Sequence, residues 1–97
     1  MKPFITPATA GVTMLVKQHP THVELVRLVV VEEKRGQGLG TRAVQALQKK
    51  GRAILLTAVP ETGKKNALHR FYKSLGFRPV NQNRLGETVF LWSPQPL

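Results

Sequence analysis

The sequence predicts an α/β or α+β domain with two main helices. Three observations predict it. Val23 to Val31 passes from alternating to continuous apolar residues, as a strand buried on both faces does. Two stretches with helical apolar spacing each run into a glycine, Gly51 and Gly76. A further apolar run, Ala53 to Val59, stands between them, so the order reads β β α β α β β with a strand–helix–strand crossover.

Taken in order, Pro3, Pro7 and Gly11 punctuate the N-terminus, Val12 to Lys17 is a short strand, and Gln18-His19-Pro20-Thr21 is a turn. In the central strand, Val23, Leu25 and Arg27 alternate with Glu24, Val26 and Leu28 before the valines take over. A charged, glycine-rich loop follows from Glu32 to Gly40. The first helix sets Ala43, Ala46, Leu47 and Lys50 on one face, apolar up to its basic end. After the strand closed by Pro60, the second helix runs from about Lys65 to Leu75 with Leu68, Phe71, Tyr72 and Leu75 on one face. Gly76 to Val80 and Thr88 to Trp92 form a final strand pair around a loop from Asn81 to Gly86, and residues 93–97 are a frayed tail.

The chain of 97 residues fits one domain, since domains take about 100 to 200 residues. No apolar run approaches the roughly 18 residues of a membrane span. Ala8-Thr9-Ala10 has the form of a signal-peptidase site, but Phe4-Ile5 is too short an apolar segment to precede one, so a cytoplasmic location is the default expectation. With no cysteine there is no disulfide, thiolate metal site or cysteine nucleophile, and His19, His22 and His69 match no zinc spacing, so no metal is expected.

The formal net charge is +10, from 15 Lys and Arg against five acids that are all Glu. Such a field attracts polyanions, acidic proteins or phosphorylated cofactors. The bases cluster: Lys34, Arg35, Arg42, Lys49, Lys50 and Arg52 share the segment 34–52 with no acid, and Lys64, Lys65, Arg70, Lys73 and Arg78 share 64–78.

The loop carries the chemistry. Gly36, Gly38 and Gly40 stand between a strand and a helix, where glycines admit close backbone approach and the helix N-terminus favours an anion. Arg35 and Thr41 add a charge and a hydroxyl. Alternatively it is a plain glycine-rich turn. A Walker A loop needs Gly-Lys-Ser/Thr, which is absent. Gly38 to Ala43 meets the loose dinucleotide fingerprint, with Glu61 near a ribose-ligand position, but the intervening loop is long and the chain too short to complete that sheet.

Arg35-Gly36-Gln37-Gly38-Leu39-Gly40 is an R-x-x-G-x-G loop. Together with the preceding Leu28-Val29-Val30-Val31 and the later Ala67 to Phe77, it resembles the GNAT superfamily of acetyl-coenzyme A-dependent N-acetyltransferases, over core motifs at residues 22–80 of a single abbreviated domain spanning 1–97. The resemblance implies an α+β, α/β-like three-layer fold, in which a mixed and mostly antiparallel sheet carries the two main helices and its central strand pair splays apart. It implies that backbone amides from Gln37 to Thr41, flanked by Arg35 and Gly36, hold the coenzyme A pyrophosphate. The pantetheine arm then lies along Leu28, Val29 and Val30, and a main-chain N–H near Leu28 stabilises the oxyanion. Tyr72 stands at the position of the general acid, four residues before Gly76, although with Leu68, Phe71 and Leu75 it also reads as core. Glu24, eleven residues before Arg35, stands at the position of a glutamate base, with His22 as a second candidate and a plain solvent-facing role as the alternative.

At the family's coenzyme-binding asparagine position this chain has Lys65, with Asn66 beside it, and Arg70 or Lys73 is expected near the coenzyme 3′-phosphate. The two helices usual between the first strands have no room between Ile5 and Val23. The acceptor pocket is thus open or completed by a second subunit, as in a homodimer. The implied activity is acetyl transfer from acetyl-CoA to a protein lysine, a peptide N-terminus or another exposed amine, by direct transfer in a ternary complex. The alternative is a basic binding module for nucleic acid or an acidic protein, which the sparse aromatics oppose. A combined reading places the amine on aminoacyl-tRNA or a nucleic-acid-bound protein.

Overall fold

The structure is a computed structural model and describes residues 4–5, 11–60 and 63–94. Glu61, the Ala8-Thr9-Ala10 segment and residues 95–97 of the expected tail lie outside the described residues. Six strands form one sheet: β1 (Phe4–Ile5), β2 (Val12–Gln18), β3 (Val23–Val30), β4 (Ile54–Thr57), β5 (Arg78–Gln82) and β6 (Thr88–Trp92), in spatial order β1-β2-β3-β4-β6-β5. Among the described residues only the β3–β4 pair is parallel. The crossover between those two strands is α1 (Leu39–Gln48), and α2 (Lys65–Ser74) leads from β4 to β5. The α+β class and the mixed sheet agree with the sequence reading, while β1 adds a strand that the proline-punctuated start concealed.

The core lies on one face of the sheet. Val12, Met14 and Val16 of β2, Val23 and Leu25 of β3, Ile54 and Leu56 of β4 and Phe90 of β6 point to it and are no more than 6% exposed. Both helices cover this face. From α1 come Leu39, Ala43, Val44 and Leu47, and from α2 Tyr72 packs its ring against Phe90. The helices also meet each other, where the Gln48 side-chain amide donates to the Leu75 carbonyl at 2.8 Å. The α/β-like three layers are therefore two in the described residues: helices, then sheet.

Several local readings change for physical reasons. Alternation placed Arg27 beside Val23 and Leu25, but a bulge shifts the register so that Val16 faces Leu25 while Leu15 faces Arg27, which leaves Val26 as the extra residue. The extra residue reverses the pleat. Leu28 and Val30 then turn to the core face, and Arg27 turns away. The end of β3 is not buried on both faces; Leu28 to Val30 are half-buried and Val31 is exposed, because β4 does not follow β3 that far. On α1 the buried stripe is rotated toward Val44, so Ala46 is exposed. Among the described residues no helix is long and apolar enough to cross a membrane.

Candidate active site

Parallel pairing between β3 and β4 is confined to Val23 with Ile54 and Glu24 with Leu55. From there the strands part, so the β4-facing main-chain groups along the rest of β3 have no ladder partner from β4. A cleft of about 620 Å³ opens on the helix side of this gap. One wall is Leu28 to Val30, the other is Val59 and Pro60 beyond β4, and Ala67, Leu68, Phe71 and Tyr72 of α2 close it.

Two helix N-termini end at this cleft. The loop after β3 turns through Gly36 and Gly38, both at positive φ (82° and 76°), where glycine avoids the clash of a Cβ with the backbone. Gly38 is the N-cap of α1 and supplies no side-chain cap, and the first turn contains no acid. The first intrahelical bond is from the Arg42 N–H to the Gly38 carbonyl at 3.0 Å. The N–H groups of Leu39, Gly40 and Thr41 therefore have no acceptor within the helix, and all three residues line the cleft. At α2 the pattern repeats: Lys64 is an N-cap without a side-chain bond, no acid follows in the first turn, and Lys64 and Ala67 line the cleft. Lys34 and Arg35 stand on the lining as well. Arg35 is held in place by donating from Nε to the Val30 carbonyl at 3.1 Å. Backbone dipoles and side-chain charges of one sign thus converge on one cavity, an arrangement that favours a polyphosphate.

Tyr72 supplies the neutral donor. Its ring is 7% exposed and meets Phe71, Phe77 and Phe90 at centroid separations of 5.0, 5.6 and 5.8 Å. Burial disfavours the phenolate and pushes the hydroxyl up to about 12 from 10.0. At neutral pH the group is a protonated hydroxyl on the cleft wall.

Of the residues singled out from sequence, Leu28, Val29, Val30, Arg35, Gly36, Gly38, Leu39, Gly40, Thr41 and Tyr72 line the cleft. Gln37 does not; it is exposed beside the loop. Asn66 and Lys73 are also exposed, and they are seven residues apart on one stripe of α2, turned about 100° from the Ala67 and Tyr72 positions that line the cavity. Glu24 is absent from the lining as well. It lies on the opposite sheet face, where its carboxylate accepts from or pairs with His19 Nε2 at 2.9 Å, and His22 stacks on His19 with ring centroids 4.5 Å apart. The cleft adds Lys34, Val59, Pro60, Lys64, Ala67, Leu68 and Phe71 to the residues named from sequence. Lys64 carried a readable signal, a base immediately before a helix whose first turn has no acid.

The sequence matches the acetyltransferase (GNAT) domain over residues 6–79. It is also 32% identical over 77 residues, 76% of this chain, to an uncharacterized N-acetyltransferase of Shouchella clausii. The chain belongs to the GNAT acetyltransferase family. It spans 43% of that relative's length. Among solved structures, the GNAT fold of this chain is similar to anti-CRISPR protein AcrVA5, with TM-score 0.76 at 19% identity over 96% of this chain and 100% of that one. It is similar also to the PaiA N-acetyltransferase of Thermoplasma acidophilum in complex with coenzyme A, with TM-score 0.64 at 18% identity over 84% of this chain and 52% of that one.

Proposed function

We propose that this GNAT chain is an N-acetyltransferase that moves the acetyl group of acetyl-CoA to a primary amine, such as a protein lysine or a peptide N-terminus, by direct transfer in a ternary complex. The observation that carries it is the convergence of two uncapped helix N-termini, Lys34, Arg35 and Lys64 on one cleft beside Tyr72. The cleft fits coenzyme A by the chemistry of its donors. N–H groups of Leu39, Gly40 and Thr41 take the pyrophosphate, Gly36 and Gly38 keep the loop free of side chains there, and the Leu28–Val30 edge takes the amide-bearing arm.

Acetyl-CoA supplies the activated acyl carbon, so an N–C bond forms on the amine while the C–S bond breaks. A main-chain N–H near Leu28 donates to the carbonyl oxygen as negative charge develops on it, a contribution of about 3 kcal/mol for a well-placed donor. An amine acceptor must first be neutral, and at pH 7 roughly one lysine in 2500 is. Glu24 is the base in this reading, supported by its place at the point where β3 and β4 part and by the His19 ring that can pass the proton outward. Tyr72 meets the departing thiolate. Because a phenol at about 12 holds its proton more tightly than a thiol near about 8.5, Tyr72 stabilises the sulfur by hydrogen bonding and solvent completes the proton balance. A binding module without catalysis would account for the charge and leave this cleft without a role.

Native mass spectrometry of the purified protein, with thermal melting in millimolar acetyl-CoA, tests the reading. Bound coenzyme and a raised Tm are expected, since ligand at 100 times Kd adds about 2.7 kcal/mol. An unchanged melt at that concentration refutes it.

A further inference from the structure

The sheet face opposite the helices is not part of the core, and of its described strand residues Val29 alone also lines the cleft. Pairing register sets Leu15 beside Arg27, Lys17 beside Glu24, Thr57 beside Val89, Leu55 beside Leu91, and Leu91 beside Arg78 on this face. Leu15, Leu55, Val89 and Leu91 are only partly buried, and both helices lie on the other side. Around this apolar centre stand Lys17, Arg27 and Arg78, none of which has an ion pair among the described residues. The one acid of the patch among the described residues, Glu24, is engaged by His19.

The chemistry of the patch selects its occupant. A second copy of a chain carrying +10 would set bases against bases. A nucleic acid suits the rim but gains nothing from a leucine and valine centre, and among the described residues this face carries no Phe, Tyr or Trp for base stacking, its His19 and His22 rings being stacked on each other. An acidic protein segment with leucine-like side chains satisfies both parts, burying the centre and pairing the rim. The gap between β3 and β4 begins on this same patch, at Glu24 and Leu55. We propose that this face docks an acidic, partly apolar segment of the acceptor protein, which presents its lysine to the gap from the side opposite the cofactor. The proposal rests on the N-acetyltransferase reading and names the class of acceptor for that site.

The test uses two fluorescent peptides of equal length, one of Glu and Leu with a single Lys, the other with Gln in place of every Glu, together with n-butylamine as an acceptor without context. Acetylation is followed by mass spectrometry and binding by anisotropy. The acidic peptide is expected to exceed the Gln peptide by about tenfold in kcat/KM and in affinity, as charge complementarity provides. Arg27→Glu with Arg78→Glu should abolish that preference while transfer to n-butylamine and the acetyl-CoA melting shift stay unchanged. Equal handling of the two peptides overturns the docking face, as does a preference that survives the double substitution. Tighter binding of a DNA duplex, lost in that variant, overturns it in favour of nucleic acid, and a wild-type dimer in light scattering that the variant dissolves overturns it in favour of a second copy. If no amine is acetylated, n-butylamine included, the catalytic reading fails, and anisotropy with the same peptides and variant still decides the docking face.

Discussion

Glu24 and Leu55 face each other as the last pair of the parallel ladder between β3 and β4. Three features meet at this pair. Beyond it the strands separate and the cleft opens on the helix side; on the other side the two side chains belong to the apolar and basic sheet face. The β3 bulge lies just past Glu24, at Val26, and turns Leu28 and Val30 toward the cleft and Arg27 away from it. A one-residue insertion thus decides which β3 side chains turn to the helix side of the sheet and which turn to the opposite face.

Tyr72→Phe separates the roles of hydroxyl and ring. The ring keeps its packing against Phe71, Phe77 and Phe90, so the fold and acetyl-CoA affinity should be retained while kcat falls by about 10²-fold, the lower range for losing one hydrogen-bond donor to a developing anion. Steady-state kinetics with a cofactor titration check this. The same variant has a signature in stability. Burial raises the phenol from 10.0 to about 12, so its neutral form contributes stability that is fully present below pH 10, declines above it and is lost as pH passes the folded value. Denaturant melts between pH 9 and 12 should therefore fall more steeply for wild type than for Tyr72→Phe.

The loop glycines make opposite predictions. Gly38 sits at φ 76° with nothing within 4 Å of a Cβ, so Gly38→Ala suffers only backbone strain, about 1 kcal/mol of stability. Gly40 is helical and lacks positive φ, and a Cβ there would meet Phe71 and Val30 at ordinary contact distances of 3.5 and 3.7 Å. Gly40→Ala should leave stability unchanged or raise it by up to about 1 kcal/mol through helix propensity, yet weaken acetyl-CoA binding because the methyl enters the cleft. Chemical denaturation beside cofactor calorimetry distinguishes the two.

Much of the fold was legible because its signals are local. The valine run marks β3, Gly51 and Gly76 stop the helices, and both glycines take positive φ (77° and 92°). The cleft lining was legible at Gly36 and from Gly38 to Thr41, where glycines stand between a strand and a helix, and along Leu28–Val30 through the resemblance to the family. The illegible parts depend on register and rotation. A bulge arises from the pairing of two strands, and no property of Val26 announces it. Asn66 stands beside the family's asparagine position, but one step on a helix turns a side chain by about 100°, and Lys64 and Ala67 line the cavity in its place. Ala46 is small enough to sit on either side of an amphipathic helix, so its exposure was not readable from spacing.

Lys34 and Lys64 occupy the cleft lining without an ion pair among the described residues. Both are exposed, so each contributes as a surface pair does, about 0.2 to 1 kcal/mol toward a phosphate. Lys34→Gln or Lys64→Gln should weaken acetyl-CoA binding by about two- to fivefold at low salt, with the difference from wild type shrinking as ionic strength rises. Titrations at two salt concentrations read both effects.

Arg52 ties the far end of the sheet together. Its guanidinium donates from Nη1 to Gln18 Oε1 at 2.6 Å and from Nη2 to the carbonyls of His19 and Pro20 at 2.7 and 3.1 Å. These contacts fix the turn that positions His19 against Glu24, and they anchor it to the start of β4, where the Val23 N–H donates to the Ala53 carbonyl at 2.8 Å. Removing the donor takes this partner from the partly buried Gln18 Oε1 and His19 carbonyl, while the exposed Pro20 carbonyl turns to water. Arg52→Ala should therefore cost about 1.5 to 3 kcal/mol, the range for hydrogen bonds involving a charged group. Arg52→Lys should recover only part of this, because one ammonium cannot reproduce a planar fork reaching three acceptors. Denaturant midpoints of the two variants measure the loss. Proton exchange at the amides of residues 19–24 should rise in both, which a purely global destabilisation would not confine to the turn.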